Sequence, residues 1–267
     1  MSDPWKRKEV IGDCTLYLGD CLNLFPEVGE VSHVITDPPF EQLMHDLHSK
    51  AEFRRTDGNA QRKHFEFSGI DAIRPQLIGL VEKYCSGWFL AFCTAEGVWK
   101  WREQVTQTNL KFKTTCPWIK PDCAPKFNAQ GPAVGYEPFI TVWAGKGHAK
   151  WNAGGKRGVY THNVNPPDRH GKHPTEKPWR LFAELLTDFT SYGDTILDPF
   201  MGSGTTLVAC AKLGRSGIGI ELDEDYFDIA CERVEKAYQQ TDLFVAPPEN
   251  KDIKRNQINM FDDGDAA

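Results

Sequence analysis

Leu197-Asp-Pro-Phe-Met-Gly-Ser-Gly-Thr-Thr206 decides how this chain is read. The β-rich run Asp194-Thr-Ile-Leu-Asp198 leads into it and a helical pattern from Ser203 to Leu213 follows, so it reads as strand, tight turn, helix. Gly202 and Gly204 let the backbone turn sharply and approach a ligand closely. The helix behind them presents unpaired N–H groups and the positive end of its dipole. Twenty-three residues after Asp198 the next strand, Ser216-Gly-Ile-Gly-Ile-Glu221, ends in an acid placed to accept from both hydroxyls of a ribose. Neither G-x-x-x-x-G-K-[ST] nor G-x-G-x-x-G spacing occurs, which disfavours ATP and NAD. A nucleoside-containing cofactor with one carboxylate and one ribose is the expectation.

Outward from this loop, short apolar runs alternate with helical patterns. Val31–Thr36, Trp88–Cys93, 111–119 and 138–143 read as strands. Helices are expected over Ile70–Tyr84 (with Pro75 tolerable only in the first turn), 96–108, Lys177–Tyr192 and Asp225–Gln239. Such alternation implies an α/β fold with a largely parallel sheet. Residues 41–68 are polar and read as a long loop or lid. Residues 121–176 are rich in Gly and Pro, and the tail 245–267 has the composition of a disordered segment.

Composition removes several function classes. The 267 residues are 40% apolar and 25% charged, with a net charge of −6, and no apolar run is long enough to span a membrane. The basic N-terminus lacks an apolar stretch behind it, so no signal peptide is expected, and a cytoplasmic protein follows. Eight cysteines without a C-x-x-C pair point to buried free thiols, and no metal site is expected. The acidic average conceals a basic block. Residues 111–180 hold 12 Lys/Arg against 4 Asp/Glu, a net +8, while the remainder carries −14. That block suggests a surface for a polyanion, although a solvated loop rich in Lys gives the same count.

Ile35-Thr-Asp-Pro-Pro-Phe40 ends the first buried strand. Two prolines stiffen the turn and leave the Pro38 carbonyl a free acceptor beside Asp37, while Phe40 offers a flat ring. Two acceptors and a ring suit a planar group with an exocyclic NH₂. By itself D-P-P-F also fits an ordinary strand-ending turn.

Together, Asp-Pro-Pro-Phe at 37–40 and Asp-Pro-Phe-Met-Gly-Ser-Gly-Thr at 198–205 resemble the amino-methylating DNA methyltransferases that use S-adenosylmethionine. The motif order resembles the circularly permuted β group. His173-Pro-Thr-Glu-Lys-Pro178 resembles that group's motif at the methionine end of the cofactor, and Leu18-Gly-Asp-Cys21 its acidic motif near the adenine. The resemblance covers about residues 10–240. It implies a Rossmann-like sheet whose catalytic half is 10–120 and whose cofactor half is 173–240, with 121–172 as a small target-recognition insert. It implies catalysis by Asp37, Pro38, Pro39 and Phe40. It places Asp20, Cys21, Asp37, His173, Thr175, Lys177, Asp198, Pro199, Phe200, Gly202, Ser203, Gly204, Thr205 and Glu221 around S-adenosylmethionine. The commonest form of the catalytic motif ends in Tyr, so Phe40 keeps the stacking face and loses a hydroxyl.

Cytosine-C5 methylation needs a cysteine nucleophile, usually in Pro-Cys, and only the reverse order occurs, at Cys116-Pro117. In the family, Asp at the first motif position leans to adenine N6 and Ser to cytosine N4, so Asp37 favours adenine. The expected partner is double-stranded DNA, with Lys120, Lys126, Lys146, Lys150, Lys156, Arg157, Arg169 and Lys172 as phosphate contacts. Asn128, Gln130, Asn152 and Arg157 are candidates to read bases. Gln257-Ile-Asn-Met-Phe261 and Gln240–Phe244 both resemble the peptide by which bacterial and phage proteins dock on the sliding clamp, although for the latter copy packing of Leu243-Phe244 on the last helix is the favoured reading. A monomer or homodimer in a bacterial, phage or prophage setting is expected. Alternatives are an N4-cytosine enzyme, an RNA or protein amide methylase (families that usually show Asn in place of Asp37), or an inactive DNA- or clamp-binding protein on the same fold.

Overall fold

A computed structural model describes residues 3–40, 69–126, 131–166 and 176–239. The expected lid 41–68, the clamp-like peptides, and His173, Thr175, Arg169, Lys172, Asn128 and Gln130 lie outside the described residues.

The strands are β1 (Arg7–Ile11), β2 (Cys14–Leu18), β3 (His33–Thr36), β4 (Trp88–Phe92), β5 (Lys111–Ile119), β6 (Tyr136–Trp143), β7 (Tyr160–Thr161), β8 (Thr195–Asp198) and β9 (Ser216–Glu221). The helices are α1 (Cys21–Val28), α2 (Arg74–Tyr84), α3 (Val98–Val105), α4 (Trp179–Phe189), α5 (Thr205–Leu213) and α6 (Glu224–Gln239). All nine strands form one sheet in the order β1-β2-β9-β8-β3-β4-β6-β5-β7. From β2 to β4 neighbours run parallel, and β6 lies antiparallel between β4 and β5. The parallel strands are near-continuous apolar runs, such as the fully buried Trp88–Phe92, because helices cover both faces of the sheet.

One face packs α4, α5 and α6 over Leu16, Ile35, Leu90, Phe92 and Ile196. The other packs α1, α2 and α3 over Val34, Phe89, Ala91, Ile140 and Val142. Burying each such side chain contributes about 1.5–3 kcal/mol, so either layer suffices to fix the register of the strands beneath it. Pro75 sits in the first turn of α2, where its missing N–H has no intrahelical partner to lose.

The expected recognition insert 121–172 is in part core. Its residues Tyr136–Trp143 are β6, an inner strand, and Tyr160–Thr161 extends the sheet as β7. The basic stretch between them is strapped to α4. Asn152 donates to the carbonyls of Thr187 (3.4 Å) and Thr190 (2.8 Å), and Lys156 pairs with Glu184 (2.7 Å) and Asp188 (2.5 Å). The Tyr160 hydroxyl also donates to Asp188, at 2.9 Å.

Candidate active site

The sheet reverses its winding between β8 and β3. From β8 the chain crosses through α5 to β9 on one side, and from β3 through α2 to β4 on the other. Ligands of open α/β sheets bind at such a switch point, beyond the carboxyl ends of the strands. Asp198 ends β8 and Asp37 follows β3, so the two motifs singled out in the sequence meet there.

Asp198 is a tie between these strands. Its carboxylate accepts from Thr36 Oγ1 (2.7 Å), Thr206 Oγ1 (2.5 Å) and Phe200 N (3.1 Å), joining the end of β3 to the first turn of α5. Burial, with 2% exposure, pushes its pKa up to about 6 against these hydrogen bonds. The loop then turns through Gly202 (φ +51°) and Gly204 (φ +78°). A side chain at Gly204 would also meet the Ala230 Cβ at 2.9 Å, so α6 packs directly on this turn. Pro199 is buried, Phe200 lies against the α1–α2 layer, and Met201 N bonds Ile220 O at 3.0 Å.

Arg233 of α6 clamps the loop from behind. Its guanidinium donates to Ser203 O (2.6 Å), Ser203 Oγ (2.7 Å) and Thr205 Oγ1 (3.2 Å), and pairs with Glu176 at 2.9 Å. Ser203 and Thr205 are therefore committed to the fold. Glu221 faces the loop from the end of β9. It accepts from Gly202 N, Leu222 N and Asp223 N, each at 2.9 Å, and burial raises its carboxyl. Its Oε2 accepts one of these three bonds and keeps a lone pair free. Gly19 N bonds Glu221 O at 2.8 Å, which brings Asp20 and Cys21 beside it. Asp20 caps α1 through Leu22 N (2.8 Å), and burial pushes the Cys21 thiol up to about 12.

Asp37 meets Lys177. The ammonium lies 2.6 Å from Asp37 Oδ2 and 2.8 Å from Oε1 of Glu137, at the start of β6, within 5.1–6.0 Å of the rings of Phe92, Phe40 and Trp118. Lys120 pairs with the other Glu137 oxygen at 2.6 Å and stands over Trp118. Burial raises the Asp37 carboxyl, Lys177 opposes that, and Glu137 reinforces it. Glu137 is held low by its two lysines despite its own burial. The chain leaves the site at Phe40 and returns beside it, with Ile70 N bonded to Phe40 O at 3.4 Å.

Several of the expected contacts have partners within the chain. Lys177, read as a cofactor contact, bridges two carboxylates. Lys120 and Lys156, read as phosphate contacts, are held in internal ion pairs, and Asn152 docks on α4. Lys126, Lys146, Lys150 and Arg157 are exposed. Glu137 and Arg233, absent from the expected site, each leave a signal in the sequence: a lone acid in an apolar strand, and an arginine within the buried stripe of Phe227, Ala230, Val234 and Ala237.

Three carboxylates gather at the switch point: Asp198 and Glu221, buried at the ends of β8 and β9, and the half-buried Asp37 after β3, which faces the Lys177 ammonium. An open, mostly parallel sheet with a glycine turn and an acid at its switch point is the arrangement of nucleotide-binding α/β folds. The chain matches the DNA methylase family over residues 31–232 and belongs to it; that family takes in both N6 and N4 enzymes. It is 51% identical to the type II methyltransferase M2.DpnII of Streptococcus pneumoniae over 65 residues, 24% of each chain. Its fold is similar to that of M1.HpyAVI in its complex with SAM, with a TM-score of 0.63 and 23% identity over 83% of this chain and 98% of that one. It is similar also to the PvuII DNA methyltransferase (cytosine-N4-specific), with a TM-score of 0.67 and 15% identity over 88% and 95%.

Proposed function

We propose that this protein transfers a methyl group from S-adenosylmethionine to the N6 amino group of adenine in double-stranded DNA. The observation that carries the reading is Asp37 beside Lys177 and Phe40, across the switch point from the Gly202–Gly204 loop and Glu221.

The site suits that cofactor. Glu221 retains an acceptor lone pair for a ribose hydroxyl, and the surplus of carboxylates complements a sulfonium and an ammonium. When bound, the cofactor supplies a methyl group on positively charged sulfur, open to in-line attack. The chain supplies the rest. An aromatic amine is a poor nucleophile because its lone pair is delocalised into the ring. Lys177 occupies Asp37 Oδ2, which leaves Oδ1 and the Pro38 carbonyl to accept the two N–H bonds and draw the lone pair onto nitrogen. Held by these two acceptors, the nitrogen would take the methyl that the cofactor would supply, the sulfur keeping the electron pair of the broken bond. The surplus proton on nitrogen passes to Asp37 Oδ1 and on to water. Phe40 stacks on the base, which must leave the duplex at a cost of a few kcal/mol. Positioning dominates the rate enhancement.

The exposed Lys126, Lys146, Lys150 and Arg157 are assigned to the DNA backbone. The N4-cytosine reading is favoured by one observation, the fold likeness to the PvuII enzyme. Incubating the protein with labelled S-adenosylmethionine and unmethylated DNA, then identifying the modified nucleoside by mass spectrometry, tests both. N6-methyladenine supports the proposal and N4-methylcytosine replaces it. Label in RNA or protein but none in DNA overturns both.

A further inference from the structure

We propose that Glu137 is a positioning residue of the reaction: by sharing the Lys177 ammonium with Asp37, it keeps the Asp37 carboxylate a strong acceptor for the target amino group. The inference rests on the reading of Asp37 as that acceptor.

A buried acid on an inner strand is costly unless it is paired. Glu137 is 7% exposed; its Oε2 accepts a hydrogen bond from Lys120 at 2.6 Å, while its buried Oε1 lies 2.8 Å from the Lys177 ammonium as an ion pair without hydrogen-bond geometry. The result is a row of alternating charges, Asp37, Lys177, Glu137, Lys120, running from the catalytic turn across to the end of β5. Paired with Asp37 alone, Lys177 would give it the whole charge of an ammonium in a poorly hydrated site. Such a carboxylate is stabilised but blunted, since the hydrogen-bonding strength of an acceptor falls with its basicity. Sharing the ammonium between two carboxylates leaves Lys177 to orient Asp37 through Oδ2 while Oδ1 stays basic. Lys120 sets the balance from the far end by holding part of the Glu137 charge. The rings of Phe92 and Trp118 flank the ammonium and fix its place between the two acids. Among the described residues the charged groups facing Asp37 are Lys177 from the segment entering α4, Glu137 from β6, Lys120 from the loop after β5, and Asp198 from β8.

A purely structural ion pair would cost stability and shift the Asp37 titration, but would leave kcat and the acid limb of kcat/KM of a folded variant unmoved. The sharing arrangement makes a directional statement: removing Glu137 and removing Lys120 must move Asp37 in opposite senses. The test is a carbon-13 titration of the Asp37 carboxyl in the ligand-free protein, with the resonance assigned through Asp37→Asn. Glu137→Gln, an isostere, is expected to lower the Asp37 midpoint by about one pH unit, and Lys120→Met to raise it by about as much. The acid limb of kcat/KM should follow in each direction, with KM for the cofactor within about threefold and the loss falling on kcat. An unmoved midpoint in either folded variant, or shifts of the same sign in both, overturns the proposal. Thermal unfolding identifies a variant that fails to fold, and the other variant then decides by the sign of its shift. Because the titration needs neither cofactor nor DNA, it reads the charge sharing whichever base the enzyme methylates.

Discussion

Arg233 and Glu176 form a buried ion pair, 2.9 Å apart, that joins the middle of α6 to the segment entering α4 beneath the glycine turn. The same guanidinium holds both the carbonyl and the hydroxyl of Ser203. The turn's shape therefore depends on a side chain thirty residues downstream in sequence. Arg233→Met takes the buried guanidinium from Glu176 and unhooks Ser203, so it should cost about 3–5 kcal/mol in denaturant unfolding. The double variant with Glu176→Met should lose less than the sum of the two singles, and strict additivity would show that the pair is not coupled.

Glu221 carries three backbone N–H groups and, in the proposed function, a ribose hydroxyl. Glu221→Ala should weaken S-adenosylmethionine binding by about 1.5–3 kcal/mol, roughly tenfold to more than a hundredfold, and lower the melting temperature as well. Calorimetric titration of the cofactor checks the first effect. Unchanged affinity would remove Glu221 from the site.

Asp198 predicts a pH dependence of stability. Burial raises its carboxyl to about 6 in the folded protein from an ordinary 3.8. The folded state therefore binds the proton more tightly than the unfolded chain does. The group's favourable contribution is complete below pH 3.8 and is lost as pH rises through about 6. Relative to Asp198→Asn, the wild type should lose up to about 3 kcal/mol of unfolding free energy across that window and stay level above it. A difference that grows in the opposite direction would contradict the assigned shift.

The exposed cations predict a division of the basic block. Lys146→Ala and Lys150→Ala should each reduce the slope of log affinity for DNA against log salt by about one. Lys156→Ala should leave that slope unchanged and loosen the strap on α4, because Lys156 is already paired with Glu184 and Asp188. Equal effects at all three positions would place Lys156 on the phosphates as well.

What could be read in the sequence was local. The strand–turn–helix at 194–213 and the strand ending at Thr36 sit where their apolar runs and turn residues put them, because each signal is contained within about twenty residues. The β1–β2 hairpin was not anticipated: its strands are five residues long, and the charged Arg7-Lys8-Glu9 of the edge strand masks the alternation. Helix α1 was missed for a similar reason, since Pro26 lies inside it. Net charge identified a basic block but could not say which lysines had acids waiting elsewhere in the chain. Lys177 lies 140 residues from Asp37 in sequence, and only the winding of the sheet brings them together.

The central claim is that Asp37 serves the transfer step and the glycine loop with Glu221 serves the cofactor. The most direct measurement is single-turnover methyl transfer by Asp37→Ala on unmethylated DNA, run beside calorimetric titration of S-adenosylmethionine into the same variant. Transfer should be abolished while cofactor affinity stays within about threefold of the wild type. Loss of both together, or transfer at the wild-type rate, would contradict that division of roles.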